Sequence, residues 1–129
     1  QIAHTEADLL KSGSANAKAM AARLKAAREA FLDVVDFVVA GAKASPNAVF
    51  AGSVPYLMLT GNLVAGWQMA RALLVAESKL AQGEDAVFMQ SKITTARFYA
   101  DHILVKVPGM RDSIVDGADS VTELALDAF

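Results

Sequence analysis

The sequence predicts an all-α protein, an antiparallel up-and-down bundle of about four long helices, and three observations predict it. Alanine, the best helix former and a poor strand residue, recurs along the whole chain. Apolar residues return at every third and fourth position in each long segment. Turn-forming residues gather at a few places, so short connections separate long elements. At 129 residues the chain is read as a single helical domain, residues 1–129, long enough to bury one core.

A short helical lead-in is expected near Thr5, where Glu6 and Asp8 suit a first turn. Ser12-Gly13-Ser14 then reads as a break or a fresh N-cap. From Ser14 to Ala44 one apolar stripe steps through Met20, Leu24, Ala27, Phe31, Val34 and Val38. Lys18, Lys25, Glu29, Asp33, Asp36 and Lys43 mark the opposite, solvated face. Gly41 and Ser45-Pro46-Asn47 end this helix and start the next, with serine as cap and proline in the first turn. The second helix is expected from Pro46 to Ala81. Pro55 deprives the carbonyl of Ala51 of its donor, so a kink is expected near Gly52-Ser53.

Gln82-Gly83-Glu84-Asp85 is the next turn, with Asp85 as N-cap. The third helix, Ala86 to Val107, carries the stripe Met89, Ile93, Ala96, Ala100, Ile103 and Val107, and Pro108-Gly109 is expected to stop it. The last segment repeats the stepping with Ile114, Ala118, Val121, Ala125 and Ala128. Asp116-Gly117 interrupts it, and Ser120-Val121-Thr122-Glu123 fits a capping box that would restart the helix.

Composition narrows the function classes. Apolar residues make up 54% and charged residues 20%, below the charged fraction of about 25% usual for soluble domains. Mean hydropathy is +0.34. That surplus of apolar surface needs a destination, such as a partner subunit, another domain or a membrane. A net charge of −2 offers no basic patch for nucleic acid. With no cysteine, disulfide scaffolds, thiolate metal sites and thiol nucleophiles are excluded, and a reducing compartment is favoured. The chain opens on Gln1 rather than Met and shows no signal-peptide pattern, so a piece of a longer chain is expected.

From Ala44 to Ala70, 27 residues pass without an acidic or basic side chain. A spanning helix needs only about 20 apolar residues. Asn47, Ser53, Thr60, Asn62 and Gln68, with Pro55 and three glycines, favour instead a helix surrounded by protein on most sides. Gly52, Gly61, Ala65 and Gly66 admit close approach of another backbone. Trp67, one turn beyond Leu63, reads as a core or interface anchor.

No set of chemical groups is complete. His4 and His102 are the metal suspects, and His102 has no metal partner at helical spacing. Glu29, Asp33 and Asp36 share a solvated face without a histidine companion. Ser53, Ser91 and Ser113 have no nucleophile-elbow context, and no phosphate loop is present. Lys92, Thr95, Arg97, Phe98, Tyr99 and His102 bring polar and aromatic groups together on the third helix. That cluster suits an amphipathic boundary between helices or a ligand site.

The run Pro55-Tyr56-Leu57, Gly61, Gly66-Trp67 and Ala70-Arg71, followed by Lys92 and Thr95-Ala96-Arg97-Phe98-Tyr99-Ala100, resembles a known domain. It is similar to the extra C-terminal domain of flavin-dependent acyl-CoA dehydrogenases of the 3-methylmercaptopropionyl-CoA dehydrogenase-like subgroup. The resemblance implies a cytoplasmic parent enzyme in which FAD accepts the beta hydride and a glutamate in a Tyr-Glu-Gly run removes the alpha proton. This chain has no Tyr-Glu pair, so no catalytic, cofactor or metal residue carries over, and FAD belongs to the parent enzyme. The implied partners are the rest of the dehydrogenase chain and a neighbouring subunit in a homo-oligomer, with no nucleic acid and no membrane span. The candidate interface residues are Tyr56, Leu63, Trp67, Arg71, Lys92, Arg97 and Tyr99. The alternative reading is an independent helical interaction module that binds a partner through its charge-free second helix.

Overall fold

The computed structural model describes residues 1–128, all helix and turn, with no strand among them. Six α-helices follow one another: α1 Ile2–Ser12, α2 Ala15–Ala44, α3 Pro46–Ala51, α4 Ser53–Ala81, α5 Ala86–His102 and α6 Val107–Val115. Three are long, and the others are short pieces around them. At a rise of about 1.5 Å per residue, α2 and α4 are each rods of about 45 Å.

Two of the breaks follow from caps visible in the sequence. Gly13 adopts the left-handed conformation, φ 73°, that a side chain resists, and closes α1. Ser14 then caps α2, its hydroxyl accepting from the N–H of Ala17. The same hydroxyl donates to Glu77 Oε1 at 2.6 Å, and Ser12 donates to Oε2 at 3.0 Å. One carboxylate of α4 therefore holds the α1–α2 corner. Asp85 caps α5 by accepting from the N–H of Phe88. The lead-in helix starts earlier than expected, so Thr5 and Glu6 lie buried within it rather than at its first turn.

The other boundaries differ from expectation. The single kinked helix Pro46–Ala81 is two helices that meet at Gly52. Pro55 stands in the first turn of α4, where a backbone N–H lacks a helical partner anyway. The third helix ends at His102, short of Val107. Pro108 cannot donate to Leu104, and its ring crowds that carbonyl, so the chain tightens into a 3-10 turn, Leu104–Lys106. Proline then opens α6 instead of closing α5. No helix restarts at Ser120, whose hydroxyl donates back to the Gly117 carbonyl. Short 3-10 turns, Asp119–Val121 and Leu126–Ala128, stand there instead. Val121 and Leu124 stay exposed, and so short a helix without a surface to bury against is marginal in water.

The core gathers where α1, α2, α4, α5 and α6 meet. Leu9, Met20, Leu24, Val34, Leu59, Leu63, Leu73, Leu104 and Val107 are its largest fully buried side chains. Alanines 96 and 100 of α5 and Ala70 of α4 let these helices lie close. Gly66 carries this furthest. A Cβ placed there would lie 2.5, 2.8 and 2.9 Å from three carbons of Leu104. Because Cγ is among them, turning the methyls cannot relieve the clash. Gly66→Ala is therefore expected to destabilise the chain by about 1–3 kcal/mol, despite the roughly 1 kcal/mol that alanine gains in helix propensity. Urea denaturation checks this, and an unchanged or raised midpoint would refute it.

Candidate functional site: an apolar docking face

Each buried residue of α4, stepping through Leu59, Leu63, Gly66, Ala70, Leu73 and Ala76, faces the core. The opposite side of the same helix is also apolar, and nothing among the described residues covers it. Phe50 at the end of α3 is 69% exposed, Val54 72% and Leu57 71%, and Met58 and Val64 are exposed as well. Val54, Leu57, Gly61 and Val64 step by threes and fours along α4, so they share one side of it as a stripe, with Met58 beside them. Gly61 sits in the middle of that stripe, and a Cβ there would meet nothing within 4 Å. A glycine inside a helix costs about 1 kcal/mol against alanine. Gly66 repays that cost by admitting Leu104, whereas Gly61 has no such neighbour in its own chain. The stripe lies within the stretch that has no charged residue from Ala44 to Ala70. A contiguous exposed apolar patch of this kind marks an interaction surface.

The seven residues expected at an interface are not brought together into one surface. Leu63 is 2% exposed and belongs to the core. Tyr56 is half-buried and stacks on Phe31 of α2, ring centroids 6.0 Å apart. Trp67 is half-buried too, and its indole N–H donates to the Thr5 hydroxyl at 2.9 Å, so it holds α1 against α4. Tyr99 donates to the carbonyl of Asn62 at 3.2 Å, which lays α5 back along α4. Partial burial raises the pKa of this phenol above its usual value. Arg97 donates to Asp101 at 2.6 Å and to Asn16 at 3.3 Å, joining α5 to α2. Of the seven, Arg71 and Lys92 are the exposed cations. Arg71 lies over the Trp67 ring and Lys92 over Phe88.

Other polar groups act within the fold. Arg28 of α2 donates through Nε and a terminal nitrogen to the two oxygens of Glu6, at 2.7 and 3.1 Å. Hydrogen bonding to Glu6 raises the pKa of Arg28. Arg111 of α6 sits among Asp112, Asp116 and Asp33, and hydrogen bonding to Asp112 is the main cause of its raised pKa. Among the described residues no group of three metal-binding side chains converges. No helix among them is long and apolar enough to cross a membrane. The exposed stripe on α3 and α4 escaped the sequence reading, although the charge-free run containing it was visible.

Comparison with known proteins places this geometry in context. A family model described as acetyl-CoA dehydrogenase C-terminal like matches residues 1–125. The chain is 46% identical over 125 residues to a 3-methylmercaptopropionyl-CoA dehydrogenase of Ruegeria pomeroyi, covering 97% of this chain and 21% of that protein. It is 33% identical over 81 residues to a broad-specificity linear acyl-CoA dehydrogenase of Mycobacterium tuberculosis, covering 60% of this chain and 13% of that protein. The chain thus spans about a fifth or less of the length of these relatives. No solved structure matches it.

Proposed function

We propose, from the premise that the chain belongs to the acetyl-CoA dehydrogenase C-terminal-like family, that it is the docking domain of an FAD-dependent acyl-CoA dehydrogenase. In this reading the parent enzyme is cytoplasmic, and flavin, glutamate base and substrate pocket reside in the rest of its chain. The domain supplies a rigid helical surface that packs on that body or on a neighbouring subunit. The stripe of Phe50, Val54, Leu57, Met58 and Val64 carries this reading. It is exposed, apolar, uncharged and centred on a glycine that leaves room for another backbone. Interfaces draw their stability from such apolar centres stripped of charge.

The test is the paired substitution Val54→Asp and Leu57→Asp in the parent enzyme. Both side chains point away from the domain's core, so thermal unfolding of the domain should change little. The domain should come loose from the body or the oligomer should fall apart, seen by limited proteolysis and sedimentation. An intact assembly with unaltered proteolysis would sink the proposal. An independent interaction module would instead leave the dehydrogenase assembly untouched.

A further inference from the structure

Beyond the docking stripe, the other half of α4 forms a second surface of opposite character. A shallow cleft lies between the C-terminal part of α4 and the start of α5. Val75, Phe88 and Met89 contribute its apolar floor, and Arg71, Lys79 and Lys92 its cations; no carboxylate lines it. Lys79 is held by Glu84 at 2.6 Å. Arg71 and Lys92 meet no carboxylate among the described residues: one bonds Gln68 and lies over Trp67, the other lies over Phe88. A surface of this make-up fits a segment that carries both carboxylates and apolar side chains.

The same chain carries such a segment. From Asp116 to Ala128 there is no lysine or arginine, and Asp119, Glu123 and Asp127 recur at every fourth residue. None of these three pairs with a cation among the described residues. Val121 and Leu124 lie among them, both exposed. We infer that this acidic segment of one copy docks in the Arg71–Lys92 cleft of a second copy.

Reach keeps Leu124 from Val75 of its own chain. The turn Asp119–Val121 packs on α3, and Ile114 touches the Gly52 position, so the segment starts at the α3–α4 junction. From Ser53, the cleft's nearest lining residue, Gln68, is about 23 Å along α4 and Val75 is about 33 Å. Six residues from buried Ala118 to Leu124 extend at most about 20 Å. A second copy meets no such limit. Two-fold pairing would seat both segments at once, as an isologous contact requires.

The test is run in the parent enzyme with its own exposed cysteines replaced, since the 129 residues here contribute none. Val75→Cys in one preparation and Leu124→Cys in a second, tagged to differ in size, are mixed and mildly oxidised. Both positions are exposed, and circular dichroism melting confirms that each variant stays folded. The mixed disulfide should form at least about tenfold above the level given by Val75→Cys mixed with a Val39→Cys control on another exposed site. Adding Arg71→Glu and Lys92→Glu should return it to that control level, and Asp119→Lys with Glu123→Lys should restore it through exchanged charges. A mixed disulfide no stronger than the control overturns the inference. So does a yield indifferent to charge reversal, or a doubly substituted chain that closes its disulfide as a monomer. The docking stripe is untouched by these substitutions, so its test stands or falls separately.

Discussion

Leu63→Ala is expected to destabilise the chain by about 2–5 kcal/mol, the range for deleting most of a buried leucine, while Leu57→Ala should shift stability by no more than about 0.5 kcal/mol. Both leucines belong to α4 and stand six residues apart. Leu63 is sealed in the core beside Leu59 and Leu73, whereas Leu57 has most of its surface in solvent. Urea unfolding followed by fluorescence of Trp67, the one tryptophan, checks both. Its indole bridges α4 to Thr5, so its emission follows the loss of that contact. Equal midpoints for the two variants would contradict the assignment of inner and outer faces.

That pair also shows why the interface was not legible. In α2 the lysines, glutamates and aspartates label the wet face, and the stripe Met20, Leu24, Ala27 and Val34 was therefore recognised as core. The first half of α4 has no such labels, because both of its sides are apolar. Periodicity tells which residues share a side, but not which side the rest of the chain covers. The sequence accordingly offers Leu63 as an interface residue and Trp67 as a core or interface anchor, whereas the bare side holds Val54, Leu57 and Met58. Only the tertiary contacts with α2, α5 and Leu104 separate the two.

Local stereochemistry was the more legible part. Ser14 and Asp85 cap where short polar side chains precede helical runs, and Gly13 closes α1. Pro108, expected to stop the third helix, opens α6 instead for a physical reason. The same missing N–H ends one helix and suits the first turn of the next. The capping box at Ser120 failed because a local pattern stabilises a helix weakly unless its apolar face is buried. Family resemblance in the second and third helices supplied what periodicity could not, and the family match over residues 1–125 bears it out.

The Glu6–Arg28 pair escaped the sequence altogether, since 22 residues separate two ordinary surface-type side chains. Glu6 is 8% exposed, and Arg28 closes over it with two hydrogen bonds. Arg28→Met should destabilise the chain by about 3 kcal/mol, because Glu6 is left buried without its partner. Glu6→Leu combined with Arg28→Met should recover stability to within about 1 kcal/mol of the original. Replacing both charges removes the desolvation cost along with the attraction. With Glu6→Leu alone as the third variant, the set forms a double-mutant cycle read by urea denaturation, and an additive result would show that the ion pair contributes no coupling. Near neutral pH the effect should not vary through Arg28. Its pKa is raised in the fold, so its share of stability is complete below the unfolded guanidinium value and is lost only as pH rises beyond it. A loss of stability on raising the pH from 6 to 9 that disappears with Arg28→Met would contradict this assignment.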